Sequence, residues 1–189
     1  MDRRRFVLSA AGVGTAVLAG PSLGTARAAT EDELAFANFG ASAEYLVRDF
    51  YANALKADLV DGAGASVLGW GRRAAAQHAR ALSDLLVGAG DVAPVVEDFD
   101  FQWPAATFKS EKAMVTTGVA VLRALLGAYQ TASASVATPS YRVLYASLGA
   151  SVSQQIGALA ALSGQQGVEP FPVALDLEAA SDALEAYLG

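Results

Sequence analysis

Apolar residues recur every three to four positions over long stretches of the chain, the period of a helix that lies with one face on a core. The spacing predicts five helices. The first covers residues 31–57, where Thr30 and Glu33 form the reciprocal pattern of a capping box and Glu31 and Asp32 sit at the positive end of the helix dipole. The second covers 63–87, with Gly88 and Gly90 expected to stop it. Its apolar stripe reads Leu68, Gly71, Ala75, His78, Leu82, Leu85. The third covers 109–134. The fourth starts at Thr138-Pro139, an N-cap followed by proline at the first helical position, and ends at Gly164. Its stripe reads Leu144, Leu148, Val152, Gln155, Leu159, Leu162. A Gly/Pro linker then leads to a short fifth helix over 177–188. No stretch alternates with the period of a strand.

Two long helical hairpins joined by a long connection, residues 91–107, imply an all-α, up-down four-helix bundle with a crossover between its second and third helices. The halves echo each other. Glu44 stands seven residues before Tyr51, and Leu122 seven before Tyr129. His78-x3-Leu82-x2-Leu85 matches Gln155-x3-Leu159-x2-Leu162. The pattern suggests a duplicated helix pair.

The first 28 residues read as a targeting segment. Arg3-Arg4-Arg5-Phe6 opens it, an apolar run interrupted by Gly12 and Gly14 follows, and Ala26-Arg27-Ala28 gives a small-residue cleavage site. The arrangement resembles a twin-arginine signal, so the domain is expected to be residues 29–189, exported to the periplasm, cell envelope or exterior. Retention of residues 1–28 would make it a membrane tether. Without them the chain keeps nine Lys and Arg against eighteen Asp and Glu, a formal charge of −9. Such a surface repels nucleic acid. A protein partner or a second copy of the chain remains open. There is no cysteine, which excludes disulfides, thiolate chemistry and cysteine-ligated metal. No later segment approaches eighteen uninterrupted apolar residues.

"FGASAEYLVRDFYANAL", "QHARALSDLL", "LGAYQTASA" and the tail "PFPVALDLEAASDALEAYL" resemble the helices of exported bacterial ferritin-like domain proteins. The resemblance covers residues 31–189. It implies a ferritin-like bundle, and in that fold a di-iron or di-manganese centre takes a Glu from each of two helices and Glu-x-x-His from each of the other two. Mapped onto this sequence, the pattern keeps Glu44 and His78, the chain's one histidine. Ala75 stands where the second helix should carry Glu, and Leu122 where the third should carry an acid. Val152 and Gln155 stand where the fourth should read Glu and His. The mapping points to a degenerate di-metal site, no resident metal and no catalytic residue. His78 is then expected as a packed imidazole hydrogen-bonded to Glu44. The implied role is structural, binding or assembly. The alternative is an exported metal-dependent oxidase or a store of iron or manganese with a different ligand set.

Other chemistry is absent or weak. Nucleophile-elbow, phosphate-loop and dinucleotide motifs are missing. Glu97, Asp98 and Asp100 group in the crossover without calcium-loop spacing and read as a solvated acidic loop. Glu44 and Arg48 stand at i, i+4 and could pair, and Arg123 is expected at the surface. Phe99, Phe101 and Trp103 are expected to cap the bundle seam, with an interaction surface as the other use for them. Trp70, Tyr141 and Tyr145 are expected to pack in the core or at its edge.

Overall fold

A computed structural model describes residues 29–165 and 172–188. The candidate signal, residues 1–28, lies outside the described residues, as does most of the Gly/Pro linker. Five helices form: α1 (Glu31–Ala57), α2 (Gly62–Gly88), α3 (Glu111–Ser135), α4 (Pro139–Leu162) and α5 (Leu177–Glu185). Among the described residues no strand forms, and an isolated antiparallel bridge joins Phe101 to Leu188. The architecture is the expected all-α bundle of two hairpins plus a short C-terminal helix.

The ends of the helices follow from local chemistry. Thr30 and Glu33 close the capping box of α1. Asp61 caps α2 through the Gly64 N–H, so α2 starts at 62, one residue before the expected 63. Gly88 remains helical, and the chain leaves α2 at Gly90, whose φ of +83° suits glycine. Ser110 caps α3 through the Ala113 N–H, which moves the start from 109 to 111. Gly164, at φ +65°, turns the chain after α4 and leaves Leu162 as its last residue. α5 stops at Glu185 because Tyr187 and Leu188 turn to meet the crossover, where the Gln102 N–H donates to the Tyr187 carbonyl at 2.9 Å.

Each hairpin is antiparallel and closely packed. Glu33 ties them at one end: its Oε2 accepts from the Thr30 N–H at 2.9 Å and its Oε1 from the Thr138 N–H, the N-cap of α4, at 2.7 Å. Tyr145 donates to the Glu33 carbonyl at 3.2 Å. About half of α3 is buried, as is about half of α1. The best 18-residue window of α3 has mean hydropathy 1.2, long and apolar enough to cross a membrane by length and composition, but two thirds of that window (67%) lies inside the bundle.

The halves exchange aromatic rings. A Cβ on Gly40 of α1 would lie 3.1 Å from the Tyr129 ring of α3, and a Cβ on Gly118 of α3 would collide with the Phe50 ring of α1. Gly40 precedes Glu44 by four residues, as Gly118 precedes Leu122, so both sockets sit at one place in the internal repeat.

The crossover lies across α1. Tyr45 donates to the Pro94 carbonyl at 3.4 Å and its ring meets Phe99, which stacks on Phe101. Trp103 donates from Nε1 to Asp49 Oδ2 at 2.7 Å and packs against Phe50, Phe108 and Tyr187. These aromatics therefore seal the seam, as expected. Glu97, Asp98 and Asp100 are exposed.

Candidate functional site

The positions singled out by the sequence meet in the middle of the bundle. The α1–α2 register sets Tyr51 against Gly71, Glu44 against His78 and Gly40 against Leu82. Glu44 is fully buried. Its Oε1 accepts from His78 Nδ1 at 2.9 Å and from the Tyr129 hydroxyl at 3.0 Å. Three helices thus converge on one carboxylate oxygen. The expected Glu44–His78 contact forms, and the i, i+4 pairing of Glu44 with Arg48 does not, because the carboxylate points inward. His78 is a packed imidazole with a side chain 13% exposed.

Burial raises the pKa of the Glu44 carboxyl, and the hydrogen bonds and charge from His78 and the bond from Tyr129 offset only part of that rise. The effect runs outward: burial and the Glu44 charge together push Tyr51 and Tyr129 well above the ordinary phenol value of 10.0.

Ala75, Leu122, Val152 and Gln155 are all buried. Gln155 stands at nearly the same height in the bundle as Glu44, since Glu33 meets Thr138 and Phe36 meets Tyr145 across α1 and α4. Both side-chain amide atoms of Gln155 and Oε2 of Glu44 are buried with no hydrogen-bond partner. No group of three or more His, Cys, Asp or Glu side chains comes together among the described residues.

Tyr129 is the site residue that the sequence did not assign. Its signal was present in the echo of Tyr51. A buried carboxylate needs donors, and the two tyrosines follow Glu44 and its counterpart Leu122 by the same seven residues. Tyr145 is buried and Tyr141 half-buried at the bundle edge, while Arg123 is exposed, as expected.

A model of the family described as "Ferritin-like domain" matches residues 32–165, well over half of the chain. No curated protein matches the chain.

Proposed function

The chain belongs to the ferritin-like domain family, and on that premise we propose that it is an exported bundle protein with a structural, binding or assembly role in the cell envelope or outside the cell, and without a di-metal centre. The donor set around Glu44 carries this reading. Two hard cations in such a bundle are held by carboxylates that bridge them. At the matching places stand Ala75, Leu122, Val152 and Gln155, none of them a carboxylate and all buried. Glu33, the other buried acid among the described residues, lies three turns away and is bound to two backbone N–H groups. The residues present do not fit a pair of divalent ions. Glu44 instead joins α1, α2 and α3 through hydrogen bonds.

Metal analysis of the purified protein, after incubation with iron(II) or manganese(II) and desalting, tests the reading. Far less than one ion per chain is expected. Two ions per chain would overturn it in favour of the second reading, an exported oxidase or metal store with other ligands. The unpartnered Glu44 Oε2 and Gln155 amide favour that second reading.

Export is proposed from the Arg3-Arg4 pair and the Ala26–Ala28 cleavage pattern. The mature N-terminus is expected at Ala29, and replacing Arg3 and Arg4 by lysine is expected to block export. A chain that keeps Met1 and sediments with membranes would make it a tethered subunit instead.

A further inference from the structure

We propose that the bundle interior binds water at one defined place, where it bridges the Glu44 carboxylate of α1 to the Gln155 amide of α4. The inference rests on the proposed absence of a metal pair.

α1 and α4 run in the same direction, and two contacts bracket a layer that they share. Toward their N-termini the Phe36 and Tyr145 rings meet, with centroids 6.2 Å apart. Toward their C-termini Phe50 and Leu159 reach the same spot beside Gly118. Glu44 stands eight residues after Phe36 and six before Phe50, and Gln155 stands ten after Tyr145 and four before Leu159. Both comparisons put the two residues about 3 Å apart in height, at about 1.5 Å of rise per residue. Both are out of reach of solvent, Glu44 being 0% and Gln155 1% exposed. Gln155 shares its face of α4 with buried Leu148, Val152 and Leu159, so its amide is aimed into the core.

What this layer lacks is specific. Glu44 Oε1 is taken by His78 and Tyr129, whereas Oε2 has no partner among the described residues. Gln155 Oε1 and Nε2 have none either. Two acceptors and an amide N–H group are therefore unmet in one layer. Ordered water is the usual remedy for such groups in a core. A cation would satisfy the two oxygens but would face the amide N–H with its own charge. Water accepts from that N–H and donates to the carboxylate. Ala75, three residues before His78 and buried, stands at the level of Gln155 and adds only a methyl. The bridge completes the joint: His78 and Tyr129 bring α2 and α3 to one carboxylate oxygen, and water brings α4 to the other.

Oxygen-17 relaxation dispersion of the solvent counts long-lived waters in the full chain. Wild type is compared with Q155L and Q155M, which remove both amide atoms and keep a side chain of similar size, while circular dichroism reports the fold. Each variant is expected to lose the signal of at least one long-lived water, because a buried water needs about two to four polar partners and Glu44 Oε2 alone is one. An unchanged signal in folded variants would overturn the proposal. If neither variant folds, a high-resolution crystal structure of the wild-type chain decides. A water peak within hydrogen-bond distance of both Glu44 Oε2 and the Gln155 amide is expected there, and direct contact between carboxylate and amide, or no peak, would overturn the proposal. Metal content of the same sample separates the two readings. Two ions per chain would overturn the functional reading and this proposal together, whereas a metal-free chain without such a water overturns this proposal alone.

Discussion

His78 Nδ1 lies 2.9 Å from Glu44 Oε1, joining a partly solvated ring to a carboxylate that water does not reach. The imidazole contributes the link between α2 and α1, and Tyr129 contributes the link from α3 to the same oxygen.

His78→Ala takes away one of the two donors to the buried Glu44 Oε1 and should cost about 2 kcal/mol in urea unfolding at neutral pH. Glu44→Gln, which keeps an acceptor oxygen and the side-chain volume, should cost about 1 kcal/mol. A double-mutant cycle with Tyr129→Phe should show coupling through Glu44. Equal, additive losses would mean that the three side chains do not act through the shared oxygen.

Glu33 gives the acid side of the stability profile. Burial alone would raise its pKa, but the Thr30 and Thr138 N–H groups outweigh burial and hold it below 4.5. A carboxyl depressed by folding binds fewer protons in the folded state than in the unfolded one. Its stabilisation is complete above 4.5 and is lost as pH falls through the lower, folded value. The stability gap between wild type and Glu33→Gln, measured in urea at neutral pH, should shrink as pH drops below 4.5. A gap that stays constant would show that the carboxylate is not what holds the two N-termini.

Tyr51, Tyr129 and Tyr145 should stay protonated through the range near 10.0 where a free phenol ionises, because burial raises all three. Here the folded state keeps protons that the unfolded state releases, so stability falls as pH climbs past 10. Ultraviolet titration of the folded chain should lack the tyrosinate signal of these three until the helices unfold, and the signal should then appear abruptly. Complete ionisation of all six tyrosines near pH 10 with the helices intact would contradict their burial.

A methyl group at Gly118 has nowhere to go. It would meet the ring of Phe50 and the tip of Leu159, and Phe50 is itself held by Tyr51, Trp103 and Phe108. Gly118→Ala should destabilise by about 2 kcal/mol through overpacking. Gly157, with nothing within 4 Å of a Cβ, is the control. Gly157→Ala should stabilise α4 by about 0.5–1 kcal/mol, the ordinary preference of a helix for alanine. Thermal melts of both variants check the contrast.

What the sequence conveyed best was local. The Thr30–Glu33 box marked the first helix at its observed residues, and Pro139 marked the fourth. Apolar periodicity placed Ala75, Val152 and Gln155 inside, and the mapped ligand pattern placed Leu122 beside them. Helix ends shifted where a cap overruled the apolar stripe, as at Asp61, Ser110 and Gly90. Long-range partners were less legible. Glu33 was readable as a capping residue for its own helix, but nothing in its neighbourhood announces Thr138, which is 105 residues away. Tyr129 likewise looks like one more aromatic on an apolar face until the bundle closes and its hydroxyl finds Glu44.

The ring exchange between Gly40 and Gly118 bears on how the chain reaches this structure. Neither hairpin is complete alone. The first carries Phe50, whose socket is on α3, and the second carries Tyr129, whose socket is on α1. A separated half would present an aromatic ring to water and a notch with nothing in it. Independent unfolding of one half is thereby penalised, and heating should melt both hairpins in one transition with equal calorimetric and van't Hoff enthalpies.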